Sequence, residues 1–132
     1  VAKEGGAWAK LFPIFKLGLG VKLGSGRQYW SWISLRDEIA ALTYLLDNPA
    51  MSGPVNLTGP APATNAEVTK AMGAVLGRPT LFAVPAVALK SVLGEFSTEI
   101  LSSARVIPEV LETSGFTWQD TTVESAIRAA LS

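Results

Sequence analysis

The chain has no cysteine and no histidine among its 132 residues. Without cysteine there is no disulfide framework, no thiolate nucleophile and no zinc-knuckle spacing. Without histidine the Ser-His-Asp triad, most zinc chemistry and the usual general base at neutral pH fall away. A charge surplus is also lacking: 11 basic residues balance 11 acidic ones, with no block of like charge. That excludes a nucleic-acid footprint and a polybasic membrane patch. Long hydrophobic runs are absent too, since the longest, Leu81 to Leu89, is broken by Pro85 and is far too short to span a bilayer. The N-terminus carries Glu4 and no apolar h-region, so it does not read as a secretory signal. The lack of cysteine suits the cytoplasm. Starting at Val1 rather than Met, the chain reads as cut from something longer.

What is present is mostly apolar. Hydrophobic residues make up 48% of the chain and charged ones only 17%, little for a domain of this size, where surface is proportionally large. A face meant to be covered by another domain or subunit explains the excess, and an ordinary compact domain with a small polar surface is the alternative. Self-association through such a face, as a homodimer, is expected of the isolated chain.

Trp8, Leu11, Phe12, Phe15 and Leu19 recur at helical spacing, with a kink or late start expected at Pro13. Gly18, Gly20, Gly24 and Gly26 follow as a closely approachable loop. They make no dinucleotide fingerprint, because the third glycine and the preceding strand are missing. Ser34 and Asp37 cap a helix in which Ile39, Leu42, Leu45 and Leu46 share an inward face, ending at Asn48-Pro49. Pro54 to Thr58 alternates like a half-buried strand. Thr64 and Glu67 form a capping box for a helix through Leu76, closed by Gly77, with Val68, Met72, Val75 and Leu76 inward. Leu81 to Val84 reads as a second strand, and a helix follows from Pro85 to Gly94. Further helices are expected at Thr98 to Arg105, at Pro108 to Ser114, and after a Thr121/Glu124 cap. Two short strands do not make a self-sufficient sheet, but they can extend a parallel sheet supplied from upstream.

Several segments in order carry a family resemblance. They are Leu17-Gly18-Leu19-Gly20, Gly24-Ser25-Gly26-Arg27-Gln28, Ser31-Trp32-Ile33, Gly53 to Thr58, Pro60-x-Pro62-x-Thr64-Asn65-x-Glu67 and Leu76-Gly77-Arg78-Pro79. Val84-Pro85, Leu93-Gly94-Glu95, Ser103-x-Arg105-Val106-x-Pro108 and Gly115-Phe116 complete the series. Together they resemble extended short-chain dehydrogenase/reductases, in the branch named for nucleoside-diphosphate-sugar epimerases. The resemblance implies an α/β fold: the C-terminal, substrate-side portion of a Rossmann-type enzyme, mostly helical with two or more short strands. Residues 1–83 would be the substrate-side segment. Residues 84–132 would be a small helical subdomain like the C-terminal domain of unknown function that marks this subfamily.

Such enzymes use a Gly-rich turn for the dinucleotide and a Tyr-x-x-x-Lys pair for proton transfer. Here Tyr29 and Tyr44 are the only tyrosines, and four residues on stand Ile33 and Asn48. The resemblance therefore implies that an upstream Rossmann domain of the same protein binds NAD or NADP and supplies the chemistry. This chain would form the substrate lid, inactive alone, with a sugar nucleotide as the substrate the family name suggests. A stand-alone, non-enzymatic binding or oligomerisation module is the competing expectation.

The substrate-binding candidates are Arg27, Gln28, Trp30, Trp32 and Arg105. Arg27 offers a planar fork for phosphate or carboxylate, and Gln28 donates and accepts; a solvated loop tip is the alternative. Trp30 and Trp32 face one side of a strand, either to stack on a ring or to fill a core. Arg105 is placed by resemblance near a nucleotide-sugar phosphate, with a helical salt bridge to Glu109 as the alternative. Asn56 and Asn65 read as strand-edge and helix-cap residues. The sequence also departs from the family pattern of Trp-Ile-His followed by two acids: after Trp32-Ile33 it has Ser34, Leu35, Arg36 and Asp37. Relatives also tend to carry a basic residue just after the Pro108 position, where this chain has Glu109.

Overall fold

The computed structural model describes residues 1–4, 6–80, 83–94, 98 and 101–132. In chain order these hold α1 (Gly6–Lys16), β1 (Lys22–Leu23), β2 (Tyr29–Trp30), α2 (Leu35–Asp47) and β3 (Ala63–Thr64). There follow α3 (Asn65–Leu76), β4 (Ala83–Val84), α4 (Ala86–Leu93), α5 (Glu109–Ser114) and α6 (Val123–Leu131). The fold is thus mostly helical with short strands, as the resemblance implies.

α3 is the centre. Thr64 accepts from the Glu67 N–H while the Glu67 carboxylate accepts from the Thr64 N–H, so the capping box forms as its sequence requires. Gly77 ends the helix at φ 63°, in the left-handed region. Val68, Ala71 and Met72 of α3 meet Phe12 and Phe15 of α1, and Val123, Ala126 and Ile127 of α6. Trp32 and Ala63 complete this core. α1 runs through Pro13, which lies exposed on its outer side, and ends at Lys16. Leu19 is therefore beyond the helix and 63% exposed.

The strands are two-residue pairs. β1 runs parallel to β4, with Lys22 opposite Ala83 and Leu23 opposite Val84. β2 runs antiparallel to β3, with Tyr29 opposite Thr64 and Trp30 opposite Ala63.

Four expectations are corrected. Pro54 to Thr58 forms no strand, and the backbone of Pro54 to Leu57 has no hydrogen-bond partner among the described residues; alternation alone does not create a neighbouring strand. The apolar stripe of α2 faces outward: Leu35, Ile39, Leu42 and Leu46 are 52%, 56%, 48% and 81% exposed, while Asp37 and Ala41 point in. Ser102 to Arg105 is irregular rather than helical. The last cap is Thr122, whose hydroxyl accepts from the Ser125 N–H, one residue later than expected. The expected Leu81 start of β4, and residues 99–100 of the helix expected from Thr98, lie outside the described residues.

Candidate functional site

The turn Gly24-Ser25-Gly26 connects β1 to β2. Gly26 stands at φ 69°, and a Cβ there would collide with Lys22 and come within 3.0 Å of Ala66, so glycine is required twice over. The loop is fastened to the start of α3. The Asn65 and Ala66 N–H groups, which a helix start leaves without intrahelical acceptors, donate to the Gln28 and Gly26 carbonyls at 2.8 and 2.9 Å. Gln28 is buried and its Nε2 donates to the Leu23 carbonyl at 3.0 Å. The Asn65 Oδ1 accepts the Leu23 N–H at 2.8 Å. Arg27, in contrast, is exposed and forms no ion pair among the described residues; its backbone N–H donates to Ser25 Oγ at 3.2 Å.

On the other side of β2 lies the stretch Ser103 to Arg105. The Tyr29 N–H donates to Ser103 Oγ at 2.9 Å, the Ala104 N–H donates to the Tyr29 carbonyl at 3.0 Å, and Ser31 Oγ donates to the Ala104 carbonyl at 3.1 Å. This seats the Arg105 guanidinium 5.6 Å from the centre of the Tyr29 ring. A cation over a half-buried tyrosine contributes on the order of 1 kcal/mol. Arg105 thus meets Tyr29 rather than Glu109.

Trp30 is half-buried against the core and lines a pocket of about 130 Å³ between α1 and α3. Trp32 is 4% exposed and inside the core; its indole N–H donates to the Ala61 carbonyl at 2.7 Å and its ring covers Gly59, where a Cβ would come within 2.6 Å of it. Of the five candidates, Arg27 and Arg105 reach solvent, Trp30 borders a pocket, and Gln28 and Trp32 are buried. A larger hollow of about 380 Å³ lies among the first residues, the start of α2 and α6, and none of the five lines it.

A polar cluster, of which the sequence marked Ser34, Arg36 and Asp37 but not Asp120, joins α2 to the C-terminal segment. Asp37 is buried; its Oδ1 accepts the Gln119 N–H and its Oδ2 the Asp120 N–H, both at 2.8 Å, and Ser34 Oγ donates to Oδ2 at 3.1 Å. Arg36 donates through Nε and Nη2 to the two oxygens of buried Asp120 at 2.7 and 2.5 Å, and Ser125 Oγ donates to Asp120 Oδ1. These hydrogen bonds from Arg36 hold the Asp120 carboxyl well below the usual carboxylate range; burial opposes them and Ser125 adds to them. Ser34 and Arg36, the departures from the family pattern, are therefore both used inside this chain. Among the described residues no group of three or more His, Cys, Asp or Glu side chains converges as a metal site, and no helix is long and apolar enough to cross a membrane.

Comparison with known proteins gives a consistent result. Residues 84–130 match the family model described as Domain of unknown function (DUF1731). An epimerase family protein of Mycobacterium bovis is 50% identical over 128 residues, covering 96% of this chain and 42% of its own length. The chloroplastic epimerase family protein SDR39U1 homologue of Arabidopsis thaliana is 37% identical, covering 99% of this chain and 38% of its own length. The crystal structure of human epimerase family protein SDR39U1 (isoform 2) with NADPH superposes with a TM-score of 0.91 at 30% identity, over 98% of this chain and 44% of that one. The chain spans less than half the length of these relatives. Its fold is that of part of a short-chain dehydrogenase/reductase. More narrowly, the chain is similar to epimerase family proteins and corresponds to their C-terminal part.

Proposed function

We propose that the chain forms the substrate-side lid of an NAD(P)-dependent epimerase or oxidoreductase, residues 1–83 making the substrate wall and 84–132 a small helical subdomain. The observation that carries this reading is Arg27: an exposed guanidinium, unpaired among the described residues, on a loop whose flanks are bonded to α3. Held that way, it offers a fork to a phosphate or carboxylate without first having to be ordered. Arg27, Arg105 and Trp30 contact substrate in this reading, and Gln28 and Trp32 hold the wall that presents them. A sugar nucleotide supplies both an anion for the arginines and rings for the aromatics. The absence of cysteine suits a reducing compartment, the cytoplasm or an organelle such as the Arabidopsis relative's chloroplast.

The NADPH of the human relative supports a nicotinamide cofactor for the complete protein. The residues of this chain do not fit that cofactor. A pyrophosphate cradle needs a Gly-rich turn from a strand into a helix, whereas Gly24-Ser25-Gly26 turns from one strand to another. We assign cofactor binding to a Rossmann domain in the portion of the relatives that this chain does not span. The outward stripe of α2 and the unpaired backbone of Pro54 to Leu57 support its docking here, one as apolar cover and the other as a further strand.

Native mass spectrometry of this chain with NADPH tests the assignment: no retained cofactor is expected, and a one-to-one complex would overturn it. The α2 stripe also favours a second reading, a stand-alone oligomerising module. Intact mass in an extract of the native source separates the two. A product more than twice 13.9 kDa supports the lid, and one of 13.9 kDa supports the module and withdraws the enzyme.

A further inference from the structure

The pocket between α1 and α3 has an unusual lining for a packing defect. Its walls are Leu11, Ile14, Phe15, Leu19, Val21, Leu23, Trp30, Val68 and Met72, with Asn65 and Thr69 set among them. Asn65 is 1% exposed and Thr69 is 4% exposed. The Leu23 N–H fixes which end of the Asn65 amide is oxygen, because a donor needs an acceptor opposite it. Among the described residues neither the other end, the NH₂, nor the Thr69 hydroxyl has a hydrogen-bond partner; both keep some surface open, unlike Thr58 Oγ1, which is fully buried without one. Polar groups that open onto a small hollow are available to pair with water or with a guest. Two unpaired groups bordering one apolar hollow is the usual composition of a small-molecule site: apolar walls with a few polar points that orient the guest. The volume, about 130 Å³, is near the roughly 150 Å³ at which an engineered apolar cavity takes up benzene.

We propose that this pocket binds a compact, ring-sized apolar molecule bearing one hydroxyl or carbonyl oxygen. That oxygen accepts from the Asn65 NH₂ and pairs with the Thr69 hydroxyl, while the ring lies among Phe15, Trp30, Val68 and Met72. No charged side chain lines the hollow, which excludes a phosphate or carboxylate there. The site is built within this chain, so the proposal goes beyond the lid reading and does not depend on it.

Titration of the ¹⁵N-labelled chain with benzyl alcohol, followed by NMR, tests it. Saturable shifts are expected at the Asn65 side-chain amide and around Met72, with toluene binding about fivefold more weakly for want of the oxygen. Thr69→Val, nearly the same shape without the hydroxyl, should weaken benzyl alcohol severalfold and leave toluene unchanged. Ile14→Trp, at a 44% exposed position on the rim, should abolish both. No saturable shift, or saturable binding indifferent to both substitutions, would overturn the proposal.

Discussion

α3 and α2 begin alike and end up in opposite circumstances. Each opens on a hydroxyl that caps the helix from three residues ahead, Thr64 before α3 and Ser34 before α2. Each carries apolar residues at helical spacing. α3 is enclosed by α1 and α6, so its capping energy adds to a packed core. α2 is tied down from its polar side, through Asp37 and Arg36, and leaves its apolar stripe uncovered. Local rules decide that a helix forms, but its hidden face is decided by whatever else is present to cover it. For α2 the polar anchorage supplies what apolar packing supplies for α3.

The contrast can be broken most sharply at the centre of α3. Met72→Ala removes a fully buried side chain and should cost about 2–5 kcal/mol, read as a fall in urea midpoint at constant slope. On α2 the matching blow is polar. Asp37→Ala strands the Gln119 and Asp120 N–H groups and should cost about 2–4 kcal/mol in the same assay. The second anchor is pH-dependent. Asp120 has its carboxyl lowered in the folded state, so its contribution is complete above the ordinary aspartate value and fades as pH falls below about 4. Acid melts of the chain and of Asp120→Asn should diverge near neutrality and converge in acid; parallel curves would remove Asp120 from the account. Thr64→Ala deletes half of the capping box and should cost about 1 kcal/mol. The smallest effect is expected on the stripe itself: Leu46→Ser should change the stability of this chain by less than about 0.5 kcal/mol while reducing its self-association by light scattering.

Legibility in the sequence followed the same division. The caps at Ser34, Thr64, Gly77, Gly94 and Gly115 could be read because each is settled within a few residues. The Thr121/Thr122 choice was off by one because two adjacent threonines offer equal caps, and the chain uses the one facing Ser125 rather than Glu124. β1, β3 and the pairing of β2 are two residues each, too short for alternation to register. Pro54 to Thr58 has the pattern of a strand and lacks its neighbour. In the candidate site, the Gly24 to Trp32 segment announced itself through its glycines and aromatics. Asp120 gave no signal beyond being a lone acid after Trp118, and Asn65 was legible only as a helix start. Its contact with Leu23 and its place in the pocket depend on a segment 42 residues away. The contact of Arg105 was hidden for a related reason: the alternative helical salt bridge to Glu109 does not form, and the guanidinium meets Tyr29, 76 residues away in the chain.

The Arg36–Asp120 pair has a consequence for descent. A lineage that replaced Arg36 by an acid would set two carboxylates together, one of them buried. A lineage that lost Asp120 first would leave a guanidinium with nothing to hold. The two positions are therefore expected to change together across relatives, 84 residues apart in the chain, and Ser34 to travel with them.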